Sequence, residues 1–164
     1  MSSIKSWNHR PSDVANLFNP AFCAALVNRV AAGHSKSSPA GLPYSLAFIA
    51  LPVLLHPPSA DELPKTSRTN FHGWLLENPQ VQIGFPDRAT AMAPYIREGI
   101  LYGLVNQVLQ MNELCLLPAN QKKMKTWEKD PYNIRYSHDS QVLGKLLGQL
   151  ADSTSVFALF GIRP

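Results

Sequence analysis

The sequence predicts a mainly α-helical fold: a compact helical domain with a small β-hairpin, arranged in a winged-helix-like way. Between residues 94 and 111, apolar side chains recur every four positions, which is the spacing of one helix face. The 14 prolines fall mostly where helices would begin or end. After the longest helical pattern, an apolar run at 114–117 and a return at 121–127 flank a turn. Residues 114–127 are therefore predicted to form a wing.

Length and composition bound the domain organisation. A chain of 164 residues fits a single domain, which we predict to span residues 1–164. That length can bury a hydrophobic core without disulfides or metals. Charged residues make up only 16% of the chain, against about a quarter in an average protein. We therefore expect part of the surface to be apolar and to be covered by a permanent partner.

Two helices are predicted at the start of the chain. The first begins at Asn19-Pro20 and ends near Gly33. An Asn side chain can cap free N–H groups, and Pro fits the first turn because its missing donor is not needed there. The second helix, at 43–56, is apolar on almost every side and is therefore placed at the centre of the fold.

Three further helical segments follow. Residues 59–62 have the pattern of a capping box, which predicts a short third helix ended by Pro64. A fourth helix is predicted at 66–78, with a loop at 80–88 after it. The longest helix is predicted at 94–111, where the apolar periodicity is strongest.

The two ends of the chain carry different signals. Residues 1–12 are polar and are predicted to form a flexible N-terminal arm. Residues 140–164 are predicted to form a C-terminal helix, over 140–151, and a tail. Because the tail at 156–162 is too apolar to remain free, we expect it to dock onto the core.

Sequence features also predict a cytoplasmic location. Cys23 and Cys115 lie in apolar stretches without paired spacing and are interpreted as reduced core residues. Residues 1–19 lack the apolar region of an export signal. The most hydrophobic stretch, 42–55, is 14 residues long, and a membrane-spanning helix needs roughly 20.

We find no pattern typical of an active site and predict that the protein is not an enzyme and binds no cofactor. The histidines are too far apart for a metal-binding motif: His9, His34, His56, His72 and His138. There is no phosphate-binding glycine motif and no nucleophile elbow. An enzyme remains an alternative only if His56, His72 and an acidic residue meet in the folded chain.

Basic residues suggest a candidate DNA-binding surface. Lys122, Lys123 and Lys125 cluster on the predicted wing, and Lys65 and Arg68 lie at the start of the predicted fourth helix. In winged-helix proteins, both places commonly contact the DNA backbone. We favour the other interpretation, a solvated hairpin and an ordinary helix end, because so few phosphate contacts would give only modest and salt-sensitive affinity.

Several segments, in this order, resemble the middle component of prokaryotic three-component ABC systems. They are residues 15–22, 41–44, 51–56, 75–79, 94–98 and 157–164. The small accessory subunit of Lamassu-type anti-phage systems is similar to this family. The shared features are apolar patterns with fixed prolines, over nearly the whole chain, and include no catalytic signature.

The resemblance implies a non-enzymatic subunit of a defence complex against phages or plasmids. Such a subunit would sit on an SMC-like ABC ATPase and couple DNA sensing to an effector protein, often a nuclease. DNA would be met mainly through the complex. Trp7, Arg163 and Pro164 are candidate partner contacts. For Trp7, the alternative is that it folds back onto the body. The alternative hypothesis is a free-standing winged-helix DNA-binding protein, such as a transcription regulator.

Overall fold

A computed structural model describes residues 4–66, 68–150 and 152–163. Its helices are α1 (Ser12–Leu17), α2 (Pro20–His34), α3 (Ala47–Leu54), α4 (Pro57–Ala60), α5 (Phe71–Glu77), α6 (Phe85–Val105), α7 (Gln121–Trp127), α8 (Pro131–Gly148) and α9 (Ser153–Leu159). Its strands are β1 (Leu42–Pro43), β2 (Leu109–Asn112) and β3 (Cys115–Pro118). The predicted mainly helical fold with a small hairpin is confirmed.

Helix α2 is the central element of the fold and packs against both α6 and α8. It begins as predicted, because the Asn19 side chain accepts a hydrogen bond of 2.9 Å from the Ala21 N–H. Helix α8 approaches it closely at two glycines. A Cβ atom at Gly33 would overlap with the backbone of Gln141, and one at Gly144 would overlap with the backbone of Val30. The absence of side chains at these positions lets the two backbones touch.

The hairpin of β2 and β3 is extended to a three-stranded antiparallel sheet by β1, in the order β1-β3-β2. Leu116 of β3 lies opposite Leu42 on one side and Met111 on the other. The sheet connects the start of the apolar α3 segment, which is buried at the centre as predicted, to the end of α6.

The prediction of a strand at 121–127 is wrong, because this segment forms α7. Asn120 adopts a left-handed conformation, and its side chain accepts a hydrogen bond from the Lys123 N–H, which caps the helix. Met124 is buried while its neighbours in α7 are exposed or half-buried. The observed hairpin lies earlier, at 109–118, so the predicted wing at 114–127 contains only its second strand, followed by a helix that carries the lysines.

The longest helix, α6, begins and ends earlier in the chain than predicted. Helix α6 begins at Phe85, where Pro86 fits the first turn, so the predicted loop at 80–88 is partly helical. It ends at Val105, because Gln107 takes a positive φ and the Val108 N–H closes back onto the Gly103 carbonyl at 2.8 Å. Residues after this turn join the sheet.

Four other helix boundaries differ from the predictions. The second helix, α3, begins at Ala47, because Pro43 lies in β1. The third helix, α4, begins two residues before the predicted capping box, because the two prolines at 57 and 58 begin it. Helix α5 begins only at Phe71, where Asn70 caps it through the Gly73 N–H. The C-terminal helix α8 starts at Pro131, earlier than predicted, because Asp130 caps it through the Tyr132 N–H.

Both ends of the chain contact the body. In the tail, Val156, Phe157 and Phe160 are buried, and α9 forms where no helix was predicted. At the other end, the Arg10 guanidinium makes two hydrogen bonds of 2.7 Å to the Glu98 carboxylate on α6. These contacts place this part of the predicted N-terminal arm against α6. Within the described residues, no helix is both long enough and apolar enough to cross a membrane.

Candidate partner-binding surfaces

Helix α6 presents an exposed row of residues that begins with a charge and continues with apolar side chains. Arg97, Leu101 and Val105 are spaced by four residues and therefore share one side of the helix. Leu101 is 62% exposed and Val105 is 74% exposed. Large apolar side chains at this level of exposure are candidates for contact with another molecule.

The row on α6 continues through aromatic residues to the hairpin. The Arg97 guanidinium lies 5.5 Å from the centre of the Phe48 ring, and that ring lies 5.2 Å from the ring of Tyr44. The Tyr44 N–H donates a hydrogen bond of 2.8 Å to the carbonyl of Leu114 in the hairpin turn. The Leu114 side chain is 77% exposed. These contacts connect Arg97 on α6 to Leu114 in the hairpin turn.

Arg163, predicted as a partner contact, lies at the same surface. It lines a shallow cavity of about 300 Å³ with Tyr44, Phe48, Arg97 and Phe157. Within the described part of the chain, neither arginine pairs with a carboxylate. We call this surface the α6–hairpin face. It comprises Tyr44, Phe48, Arg97, Leu101, Val105, Leu114 and Arg163.

A second surface, between α1 and α8, has the opposite charge. Two adjoining cavities of about 350 and 440 Å³ share Leu17 and Tyr132, which is 67% exposed. Asp13, Asp61 and Asp139 lie along these cavities. Arg135 is also present and pairs with Asp61 and Asp139. We call this surface the α1–α8 groove, and it comprises Asp13, Leu17, Asp61, Tyr132, Arg135, Tyr136 and Asp139.

The predicted DNA-contacting lysines lie together on α7. Lys122, Lys123 and Lys125 are exposed, and no carboxylate among the described residues pairs with them. Lys123 also borders an apolar cavity of about 260 Å³, whose walls include the aromatic residues Phe22, Tyr102 and Trp127.

A buried polar network fixes α7 on the body. The Arg29 guanidinium donates to Glu128 Oε1 at 3.0 Å and to Gln121 Oε1 at 2.7 Å, so it holds both ends of the helix. The Ser137 hydroxyl donates to the same Glu128 oxygen at 2.5 Å. Asn28 donates to the carbonyls of Val108 and Ala119 on the hairpin side. Buried polar groups that are satisfied in this way specify one arrangement of the elements.

The other predicted site residues lie elsewhere. Lys65 and Arg68 are exposed in the segment between α4 and α5. They do not lie at a helix start as predicted, because α5 begins only at Phe71. In the described chain, no hydrogen bond or ion pair joins them to the α7 lysines. Trp7 is 40% exposed and packs beside the Arg10 guanidinium, which lies 5.7 Å from its ring centre. Pro164 lies outside the described residues.

Burial shifts the pKa of three groups that could act chemically. Burial raises the pKa of the Cys23 thiol to about 12, so the nucleophilic thiolate is not populated near neutral pH. Burial lowers the pKa of His34, and burial with the nearby Arg88 charge lowers that of His56. His56 Nδ1 lies 2.7 Å from the Ser59 hydroxyl. Among the described residues, no group of three His, Cys, Asp or Glu side chains could hold a metal ion.

Sequence reasoning missed the apolar residues of the α6–hairpin face. Leu101 and Val105 lie in the apolar pattern at 94–111 that predicted the longest helix, and they were not identified as contact residues. The signal that could have identified them is the number of apolar residues on this helix. Ile96 and Ile100 already form a buried row, so a second apolar row on another side of the helix is left exposed.

These features define a class of protein: mostly helical, with two exposed apolar surfaces and a separate lysine-rich helix. One of the surfaces carries arginines and the other carries mainly aspartates. The family model of the ABC-three component (ABC-3C) system Middle Component 3 matches residues 7–164. The chain belongs to this family. Comparison with curated proteins and with solved structures finds no match.

Proposed function

We propose that the protein is a non-enzymatic accessory subunit that bridges an SMC-like ABC ATPase and its effector, a nuclease. The complex would act in the prokaryotic cytoplasm against phages or plasmids, in a system related to the Lamassu type. The observation that carries the proposal is the family match over residues 7–164, since a middle component is one part of a multi-component system.

Two apolar surfaces support the bridging role. The α6–hairpin face carries Arg97 and Arg163, while the α1–α8 groove carries three aspartates and one arginine. The two surfaces have no residue in common. A subunit that joins two different proteins needs two separate contact surfaces, and opposite charge would help each select its own partner.

The direct test is purification of the tagged protein from its native operon in high salt, with mass spectrometry of the proteins that co-elute. We expect an SMC-like ATPase and an effector in stoichiometric amounts. Elution of the protein alone, folded and monomeric, would contradict the proposal. The non-enzymatic part is tested by His56→Ala and His72→Ala, which should leave defence against phage unchanged.

The lysines of α7 support a second candidate function, direct contact with DNA. Three exposed lysines on one short helix could neutralise phosphates within the complex, and such binding weakens as salt increases. Replacement of Lys122, Lys123 and Lys125 by Gln should lower DNA affinity of the complex and reduce the slope of affinity against salt. Lys36→Gln and Lys129→Gln, at exposed lysines outside α7, are the matched controls. Unchanged affinity in the triple variant would exclude this contact.

A further inference from the structure

We propose that the α6–hairpin face binds an apolar segment of a partner subunit that carries carboxylates, and that Arg97 and Arg163 pair with those carboxylates. This inference rests on the proposed function, because the partner is a subunit of the same complex. It assigns to that partner a surface and a chemistry that membership of the family does not supply.

The apolar part of the argument comes from exposure and continuity. Leu101, Val105 and Leu114 are all more than half exposed. Contacts through Phe48 and Tyr44 connect Leu114 to Arg97, which shares one side of α6 with Leu101 and Val105. Interface hot spots are apolar or aromatic anchors surrounded by groups that exclude water. The face has this composition: aliphatic side chains on α6 and the hairpin turn, and aromatic rings between them.

The charged part of the argument comes from the two arginines at the shallow cavity. The Arg97 guanidinium lies over the Phe48 ring, 5.5 Å from its centre, and among the described residues no carboxylate pairs with it. Arg163 lines the same cavity. By contrast, Arg10 and Arg29 already pair with glutamates of the chain. A carboxylate is the group that a guanidinium binds through two parallel hydrogen bonds.

Two other occupants fit the face less well. Nucleic acid would use the arginines but would gain nothing from exposed leucines and valine, since its backbone is charged. A second copy of the chain would bring the same arginines together. Glu113, the one acidic residue adjoining Leu114 in sequence, would supply a single carboxylate for two arginines. An acidic and apolar segment of a different protein satisfies both parts of the face.

The test measures binding of purified wild-type and variant proteins to each subunit that co-purifies with the wild type, and the inference concerns the subunit whose binding the face variants weaken. Leu101→Ser and Val105→Ser remove the apolar contacts, and Arg97→Glu and Arg163→Glu reverse the charges. Because all four side chains are exposed, the fold should remain intact. Leu76→Ser is the apolar control, since Leu76 is exposed on α5, and Lys36→Glu is the charge control.

We expect each face variant to weaken binding by about ten-fold or more, with both controls like the wild type. The effect of the charge reversals should shrink at high salt, while the effect of the apolar variants should persist. Unchanged partner binding in all four variants would overturn this inference and leave the proposed function standing. A wild-type protein that captures no subunit would overturn both. If Leu101→Ser only converts a dimer into a monomer, the occupant is a second copy and the inference is wrong.

Discussion

His34 is a buried histidine near the close contact between α2 and α8, and it links stability to pH. Its Nδ1 atom has no hydrogen-bond partner among the described residues, and burial lowers the pKa of the ring below its ordinary value of 6.5. The unfolded chain therefore binds a proton at this position at a pH where the folded chain does not. Stability is full above the unfolded pKa and is lost as the pH falls below it.

We predict that the free energy of unfolding decreases as the pH falls from about 8 to about 5, and that His34 contributes to this decrease. His34→Gln should flatten the curve, because glutamine does not titrate. Urea unfolding of both proteins across this range measures the effect. At high pH His34 is neutral, so the difference in unfolding free energy between the two proteins there reports the change in packing alone. The difference in slope against pH reports the loss of titration. An unchanged slope in the variant would assign the pH dependence to other groups, such as His56.

Gly144 tests the close approach of α2 and α8 in the core. An added Cβ would overlap with the Val30 carbonyl, a backbone group that cannot rotate away. We expect Gly144→Ala to destabilise the protein by about 3 kcal/mol, the upper end of the usual range for overpacking. Gly73→Ala is the control, since its Cβ would meet only the Asn70 side chain at 3.1 Å. Equal urea midpoints for the two variants would contradict the packing described for α2 and α8.

At the scale of elements, α7 depends on contacts outside itself. A helix of seven residues is too short to be stable alone. Arg29 compensates by bonding to Gln121 and Glu128, near the two ends of the helix, and the Arg29 side chain is only 6% exposed. The position of the α7 lysines is therefore decided by a buried arginine of α2.

We predict that Glu128→Gln loosens α7 before it affects the rest of the fold. The substitution keeps the shape of the side chain but leaves the buried Arg29 charge without its carboxylate, at a cost of about 2 kcal/mol given the partial exposure of Glu128. Hydrogen exchange of the backbone amides at 121–127 should become faster, while exchange in α8 stays slow. Glu113→Gln, in the exposed hairpin turn, should change neither. Equal acceleration in both helices would mean that α7 does not open separately.

Elements with local signals could be predicted from sequence, and elements decided by distant contacts could not. Helix α2 was visible because Asn19 and Pro20 define its first turn. Strand β1 was not, because its two residues pair with β3 more than 70 positions away along the chain. Helix α7 was mistaken for a strand because its cap, Asn120, and its anchor, Arg29, act through geometry that the spacing of apolar residues does not reveal.

The candidate surfaces were predictable to a similar extent. Residue type alone identified Arg163 and the three lysines of α7 as exposed charges. The partners of such residues depend on the fold: nothing in the sequence places Arg163 beside Arg97, 66 positions earlier, in one cavity. The low fraction of charged residues did predict an apolar surface, and the exposed side chains of α6 and the hairpin turn provide one.

At the scale of the whole molecule, the two apolar surfaces make the bridging role testable. The α6–hairpin face is basic and the α1–α8 groove is mainly acidic, so one partner should not readily occupy both. Both surfaces are built on the α2, α6 and α8 core, which keeps their relative position fixed. A rigid body with two unlike contact surfaces is suited to holding two proteins in a defined geometry.

We therefore predict that variants of the two surfaces lose different partners. Leu101→Ser with Val105→Ser should release one of the two subunits that co-purify with the wild type, because the apolar contacts of the α6–hairpin face are removed. Leu17→Ser with Tyr132→Ser should release the other, and Leu76→Ser should release neither. Pull-downs with mass spectrometry, followed by analytical ultracentrifugation of the remaining complex, measure which subunit is lost. If both double variants release the same subunit and retain the other, the two surfaces serve one interface, and the chain would have to bridge its partners through another part of its surface, of which α7 is the first candidate.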